Sequence, residues 1–371
     1  MTSGKNYVIL ESRKAFSFGA FAKKTLSQGF LPEGRMSRAT ISEVAAAAGV
    51  AISTASKALN GTGAISPDTV KRIEDAAHRL GYRPNRAAQL LAGKNKSIGI
   101  ILPENPVEVM KPMIDGLTET LDEYGDYGFR YRMRTFDYLV NGVEGFSDSL
   151  GDLKDQINGL IFIPVIDMDA CRKLVSQLKI PKVALQSTLD PAICPSVTVD
   201  ERMVGRMAAE FLSLYGNVRK VAMIAGNRQT DIHRKNFEGF DEGTRARGME
   251  FLEAVDSFDS IENAKDLTLG LCGKYPELDG IFVSSYVSPG VCAALEELGL
   301  AGKVRVVGVD VYDRTAKCLE NGSLSAIIYQ NQRRQARRAV IELLAGMREG
   351  KARSVRIKPE LVLQSNLSFY I

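Results

Sequence analysis

The sequence has little of the material from which metal sites, disulfides and membrane spans are built. It contains 2 histidines and 5 cysteines in 371 residues, and the cysteines show no paired spacing. This pattern argues against zinc and disulfides and suits a reducing cytoplasm. No apolar run is long enough to span a bilayer, and residues 1–35 lack the apolar core of a signal peptide. We therefore expect a cytoplasmic protein without a membrane partner.

Catalytic motifs are missing as well. The chain has no nucleophile elbow, no Walker loop and no metal-ligand spacing. An α/β enzyme with an accessory DNA-binding domain would need a set of catalytic residues, and the sequence contains no set that identifies a reaction. We expect neither enzymatic activity nor a cofactor.

Positive charge is concentrated in the N-terminal quarter of the chain. Residues 1–35 carry 6 basic and 2 acidic side chains, residues 36–97 carry 9 and 4, and residues 98–371 carry 33 and 38. A basic end on an acidic body is typical of a protein that contacts DNA phosphates through that end. We expect residues 1–35 to be a disordered extension, with Met36 as an alternative start.

The stretch after Thr40 has the pattern of a helix-turn-helix. Thr40 to Glu43 has capping-box spacing, Gly49 supplies a tight turn, and a second helix is predicted over about 52–59. Ser66 and Pro67 begin a third helix that ends before Gly81. The second helix has small polar and basic residues on its outward face, as a helix in a major groove requires.

A short helical segment follows between Pro84 and Gly93. It is too short to be stable alone in water, and its Leu90-Leu91 pair suits a wedge between base steps. The order of these elements, with the Y-x-P-N start and L-A-G-K end of this segment, resembles the LacI/GalR family of bacterial repressors. The resemblance implies DNA contacts from Ile52, Ser53, Thr54, Ser56, Lys57, Asn60, Tyr82, Asn85, Arg86 and Leu91.

One departure from the family lies at the start of the second helix. Ala51 stands where the family usually has a capping serine. This predicts a weaker cap, or a cap whose role passes to Ser53.

From Ser97 onward, short apolar runs alternate with amphipathic segments, which predicts an α/β fold of parallel sheets wrapped by helices. The strand pattern restarts near Val197, so two lobes are expected, with a last strand at about 355–364. The resemblance implies a two-lobed core similar to periplasmic sugar-binding proteins. The predicted organisation is an extension (1–35), a helix-turn-helix domain (36–83), a hinge helix (84–96) and an effector-binding and dimerisation domain (97–371) with crossings near Ser196, Tyr329 and Pro359.

Ligands of such sheets bind beyond the carboxyl ends of the strands. The resemblance implies that Arg234 grips a sugar, that Asp310 accepts bonds from vicinal hydroxyls, and that Gln330 enters the cleft at the second crossing. Alternatively, Arg234 is a surface charge and Asp310 a helix cap. Ser285-Tyr286 replaces the family's Asn-Asp and leaves ligand identity open. Further strand-end candidates are Glu104, Asn105, Gln186 and Ser285.

These features together predict a sequence-specific DNA-binding regulator. The resemblance implies a repressor of a sugar or polyol operon that binds a pseudo-palindromic operator as a homodimer and responds to a small hydroxylated effector. A ligand-dependent activator is an alternative. A sugar-acid effector is another, since a basic cluster surrounds Arg234: Arg228, His233 and Lys235. The tail after Gln364 lacks the heptads of a tetramerisation helix, so a dimer is expected.

Overall fold

The structure is a computed structural model that describes residues 41–59, 65–80, 96–124, 129–164 and 167–371. These residues fall into two compact units, one within 41–80 and one over 96–371. The extension predicted over 1–35 lies outside the described residues, and so does the predicted hinge helix up to residue 95. Five residues predicted to contact DNA also lie outside the described residues: Asn60, Tyr82, Asn85, Arg86 and Leu91.

The smaller unit consists of α1 (Ile41–Ala47), α2 (Ile52–Leu59) and α3 (Pro67–Arg79). Gly49 has a φ of +63°, a left-handed conformation that glycine adopts without strain and that allows the tight turn between α1 and α2. The core of the unit is made of small and branched apolar side chains from all three helices: Val44, Ala45, Ala48, Ala55, Ala58, Ile73, Ala76 and Ala77. Alanines at these positions let short helices pack closely around Ile73.

The larger unit has two lobes, each built on a six-stranded sheet of the described residues. The first sheet has the order β11-β5-β4-β3-β1-β2 and is parallel throughout. Its strands are β1 (Lys96–Pro103), β2 (Phe129–Phe136), β3 (Gly159–Phe162), β4 (Lys182–Leu185), β5 (Ser196–Val199) and β11 (Val355–Ile357). Its helices are α4 (Val107–Glu123), α5 (Tyr138–Leu153), α6 (Met168–Ser176) and α12 (Gln332–Glu349).

The second sheet has the order β12-β10-β9-β8-β6-β7, and only β12 pairs antiparallel. Its strands are β6 (Lys220–Ala225), β7 (Glu250–Asp256), β8 (Gly280–Val283), β9 (Arg305–Val309), β10 (Ala326–Tyr329) and β12 (Glu360–Val362). Its helices are α7 (Glu201–Ser213), α8 (Asp231–Ala246), α9 (Ile261–Lys274), α10 (Ser288–Glu297) and α11 (Asp313–Glu320), followed by the 3₁₀ turn Gln364–Phe369.

The chain passes between the lobes three times: after β5 at Asp200, after β10 at Gln330 and Asn331, and between β11 and β12 at Lys358 and Pro359. The second sheet starts at Lys220. The restart predicted near Val197 is instead a strand of the first sheet, paired with β4. Glu201 follows the first crossing and Gln330 lies at the second, and both face the space between the lobes.

Two glycines bring α7 and α8 unusually close together. A Cβ on Gly205 would lie 2.1 Å from the carbonyl oxygen of Asn236, and one on Gly239 would lie 2.1 Å from that of Arg202. Only glycine fits such an approach. The contact fixes the first turn of α7 against α8, next to the space between the lobes. No helix in the described part of the chain is long and apolar enough to cross a bilayer.

Candidate functional site

The first candidate site is the outward face of α2. Ala55 and Ala58 are buried against the other helices, so the opposite side of this short helix faces solvent. There Ile52 is 52% exposed, and Ser53 and Lys57 are exposed beside it. Hydroxyl, ammonium and apolar groups on one narrow face are suited to reading base edges in a major groove.

Two further residues of this helix, Thr54 and Ser56, were also predicted to contact DNA. Thr54 is half-buried. Ser56 lies on α2, but its side chain is outside the described part of the structure. Arg72 on α3 donates a hydrogen bond from Nη2 to the carbonyl oxygen of Ala48 at 3.3 Å, which ties α3 to the end of α1.

The second candidate site is a cavity of about 150 Å³ between the two lobes. Residues at or just beyond the carboxyl ends of strands from both sheets line it, as expected for doubly wound sheets. The first lobe contributes an apolar wall that includes Pro103, Met110 and Ile163. The second lobe and the crossings contribute polar groups. Polar groups of the first lobe, among them Tyr138 and Gln186, also line the cavity, so it combines an apolar surface with hydrogen-bonding groups from both lobes.

Backbone strain is concentrated at this cavity. Within the described ranges, the non-glycine residues with left-handed φ are Gln186 (62°), Phe258 (52°), Asp259 (58°), Asp310 (64°) and Asn331 (53°). Three of them line the cavity, and the other two adjoin lining residues in sequence. Such conformations are disfavoured for residues with a Cβ and cluster at functional sites.

Asp310 is held by the two glutamines of the second crossing. Its Oδ1 accepts a hydrogen bond from Gln332 Nε2 at 2.5 Å, and its Oδ2 accepts one from Gln330 Nε2 at 3.4 Å. Burial raises the pKa of Asp310 to about 6, and these hydrogen bonds oppose the rise. The helix cap considered for this residue is instead occupied by Tyr312, at the start of α11.

Glu201 is a second buried carboxyl group on the cavity wall. It is the first residue of α7, and its Oε2 accepts a hydrogen bond from Asn236 Nδ2 at 3.3 Å. Burial, together with the charge of Asp310, raises the pKa of Glu201 to about 8. Two carboxyl groups thus lie close enough in the cavity to influence each other.

Asp259 is the centre of a third group. Tyr138 donates to its Oδ2 at 3.0 Å and Ser285 donates to its Oδ1. His233 Nε2 lies 3.9 Å from Oδ1, and His233 Nδ1 lies 3.2 Å from Ser284 Oγ. Burial lowers the pKa of His233, which favours the neutral form of the ring. The group joins side chains from both lobes.

Two family matches correspond to the two units of the chain. Residues 98–352 match the family of periplasmic binding protein domains, and residues 40–85 match the bacterial regulatory proteins of the lacI family. The chain belongs to the LacI family. The expected fold class, a helix-turn-helix head joined to an α/β core of parallel sheets, is confirmed, and the protein is a LacI-type transcriptional regulator.

Known proteins resemble this regulator over most of its length. The ribose operon repressor of Bacillus subtilis (strain 168) is 26% identical over 283 residues, covering 73% of this chain and 81% of that protein. The regulator CelR of Thermobifida fusca is 28% identical over 291 residues, covering 74% and 83%. An ABC transporter solute-binding protein from Bacillus halodurans C-125, solved with bound myo-inositol, shares the fold at a TM-score of 0.68 and 19% identity, covering 75% and 97%.

The structure brings five of the seven predicted ligand residues of this regulator to the cavity: Asn105, Asp310, Gln330, Gln186 and Ser285. Glu104 is exposed and does not line it. Arg234 does not line it either. Its Nη1 donates to Glu238 at 2.6 Å, its Nη2 contacts Asp231, and its side chain is 49% exposed. Consecutive residues of an α-helix are about 100° apart around the helix axis. Arg234 therefore lies on the outward face of α8, and His233 and Asn236 lie on its inward face.

Several cavity residues of the regulator were missed by sequence reasoning: Tyr138, Glu201, Asp259, Gln332 and Gln335. Glu201 follows β5, which the sequence suggested as the start of the second lobe, and Asp259 follows β7, which was not predicted as a strand. The signal was present for Gln332, which lies two residues beyond the predicted Gln330 at the same crossing.

Proposed function

We propose that this regulator represses an operon for the transport or catabolism of a sugar or polyol, in the cytoplasm, under the control of a small hydroxylated ligand. The observation that carries the proposal is the presence, in one chain, of an exposed helix face with polar and basic side chains and a cavity lined by hydrogen-bonding groups. The related ribose operon repressor of Bacillus subtilis supports it.

The size of the cavity supports a ligand as large as a monosaccharide. A water-sized site needs about 10–15 Å³ by the same measure, so a cavity of about 150 Å³ offers roughly ten such positions, close to the dozen non-hydrogen atoms of a hexose. The apolar wall suits the C–H face of a sugar ring, and Asp310 and Gln330 suit its hydroxyls. The solute-binding protein that holds myo-inositol in the same fold is consistent with a polyol.

The proposed mechanism couples the cavity to DNA through a homodimer. Two helix-turn-helix heads read two half-sites of a pseudo-palindromic operator, whose symmetry requires a two-fold protein. A ligand that favours one arrangement of the lobes changes the DNA affinity, and bound operator must change ligand affinity by the same factor.

Base reading by α2 is tested by selecting operator sequences for the purified full chain and comparing variants at one salt concentration. Ser53→Ala and Lys57→Ala should each cost about 1–3 kcal/mol and relax preference at particular base pairs. Lys71→Ala, on exposed α3, is the matched control and should at most weaken all sequences equally. A uniform loss for Ser53→Ala and Lys57→Ala as well would contradict base reading.

The assembly and the sign of regulation need separate measurements. Light scattering of the full chain should give twice the 40.5 kDa chain mass with and without DNA. A stable tetramer, or a monomer at micromolar concentration, would contradict the dimer. Deleting the gene should raise transcription of the controlled operon, and a fall would identify an activator.

A further inference from the structure

The ionisable groups around the cavity are mostly acidic. Those that line it, apart from tyrosines, are Glu201, Asp231, His233, Asp259 and Asp310. None of the described lining residues is a lysine or an arginine. Burial lowers the pKa of His233, which favours its neutral form, and the other four groups are carboxyl groups.

The basic side chains near the cavity form ion pairs with neighbouring carboxylates. Arg228 Nε lies 2.9 Å from Asp256 Oδ1. Arg234 pairs with Asp231 and Glu238, and Lys235 pairs with Asp231. Asp231 is thus neutralised from outside the cavity. The basic cluster that suggested a sugar-acid ligand does not present its charges to the cavity.

Glu201 and Asp310 have neutral hydrogen-bond donors only. The groups that reach them are the amides of Asn236, Gln330 and Gln332, and neither carboxyl group forms an ion pair among the described residues. An ionised carboxylate removed from water needs a cation, or it takes up a proton. The raised pKa values of both groups agree with this need.

A neutral acceptor in the same cavity is also unmatched. Gln335 is 2% exposed and lines the cavity, and its Nε2 donates to the carbonyl oxygen of Gln330 at 2.9 Å. Its Oε1 has no donor among the described residues. A buried acceptor of this kind calls for a donor on the ligand. An ammonium group supplies three donors, no acceptor and a positive charge.

We propose that the effector is a hydroxylated organic cation, such as an amino sugar or an amino polyol, whose ammonium group binds between Glu201 and Asp310. This inference rests on the proposed function, because it takes the inter-lobe cavity as the effector site. The hydroxyls of the ligand contact Gln330 and its neighbours, and its C–H face packs on the apolar wall of the first lobe.

The test is calorimetric titration of the full chain with matched sugars. D-glucose, D-glucosamine, N-acetyl-D-glucosamine and D-glucuronate form one set, and the galactose and mannose series form two more. An amino sugar should bind about tenfold more tightly than its neutral parent, the gain of one charge-assisted hydrogen bond. The acetylated and acidic members should bind no better than the parent, since they lack the positive charge.

Two variants assign this preference to the carboxyl groups. Glu201→Gln and Asp310→Asn should each reduce the ratio of amino-sugar affinity to neutral-sugar affinity, because each replaces a carboxylate by an uncharged amide of similar size. Glu238→Gln is the matched control, since it removes a carboxylate that pairs with Arg234 outside the cavity lining, and it should keep the preference.

Four results would overturn the proposal: a neutral sugar or a sugar acid that binds as tightly as the amine, no binding by any amino sugar at millimolar concentration, an amine preference that survives in both variants, or binding of Mg²⁺ or Ca²⁺ alone at these carboxylates. A neutral sugar that binds and changes operator affinity would leave the proposed function intact. Failure of the chain to bind any selected DNA would instead overturn the proposed function.

Discussion

The hydroxyl of Tyr138 donates a hydrogen bond to Asp259 Oδ2 across the two lobes, at 3.0 Å. Tyr138 begins α5 in the first lobe, and Asp259 follows β7 in the second. Asp259 also accepts from Ser285 within its own lobe. The Asp259 carboxylate is therefore hydrogen-bonded to side chains of both lobes.

Tyr138→Phe should weaken the contact that holds the two lobes together at the cavity. The substitution keeps the ring and removes a hydrogen bond to a charged acceptor, which contributes about 1.5–3 kcal/mol. Small-angle scattering of the ligand-free protein should show a larger radius of gyration. Tyr312→Phe is the matched control, because the Tyr312 hydroxyl donates to the carbonyl oxygen of Tyr286 within one lobe. Identical scattering from Tyr138→Phe and the wild type would refute a role for this bond in holding the lobes together.

Glu201→Gln should flatten the dependence of stability on pH. Burial raises the pKa of Glu201 to about 8 in the folded protein, from 4.5 for the free group. Between these values the unfolded chain loses the proton and the folded protein keeps it, so the free energy of unfolding falls as pH rises. Asp310, with a pKa of about 6, adds to the fall at the lower end of this window.

The measurement is urea denaturation of the full chain at pH 5 and pH 8. The free energy of unfolding of Glu201→Gln minus that of the wild type should be larger at pH 8 than at pH 5. Glu104→Gln, at an exposed position outside the cavity lining, is the control and should follow the wild-type profile. Parallel profiles for all three proteins would show that Glu201 keeps no proton in this range.

The central strands were the most predictable part of the fold. Strands such as β3 and β8 are covered on both faces, so they occur as unbroken apolar runs that stand out in a sequence. β7 does not stand out in this way, because it is an edge strand, half-buried over most of its length, and its acidic residues interrupt the apolar pattern. The stretch predicted as one last strand is split at Lys358 and Pro359, and its halves join different sheets.

The site was less predictable than the fold for a geometrical reason. Strand ends can be located from apolar runs, and Asp310, Gln330 and Gln186 were found in this way. A residue on a helix needs the rotation of that helix as well, and the choice of Arg234 over its neighbour His233 required packing information. The approach of α8 to α7 at Gly205 sets that rotation, and it is a tertiary contact.

Ala51→Ser should stabilise the helix-turn-helix head. The amides of Thr54 and Ala55 both donate to the carbonyl oxygen of Ala51, so Ala51 occupies the cap of α2 without a side-chain acceptor. A serine hydroxyl there would accept from a free amide of the first turn and contribute about 1 kcal/mol. Ser66→Ala, which removes the existing cap of α3, should lose a similar amount. Thermal unfolding of the head within the full chain would measure both, and no gain from Ala51→Ser beside a clear loss from Ser66→Ala would contradict the prediction.

Gly205→Ala should destabilise the second lobe, while Gly270→Ala should stabilise it. A Cβ at Gly205 would lie 2.1 Å from the carbonyl oxygen of Asn236 and 2.5 Å from the amide nitrogen of Phe240. Both atoms belong to the backbone of α8 and cannot rotate away, so the two helices must separate at a cost of about 1–3 kcal/mol or more. That separation would also stretch the hydrogen bond from Asn236 to Glu201.

Gly270 is the matched helical control. It lies within α9, and a Cβ there would meet nothing within 4 Å. Alanine at such a position reduces the freedom of the unfolded chain and should add about 0.5–1 kcal/mol. Chemical denaturation of the two variants should therefore give changes of opposite sign. If Gly205→Ala matched Gly270→Ala in stability, the close contact between α7 and α8 would not exist in solution, and Glu201 would not be held against Asn236 as described.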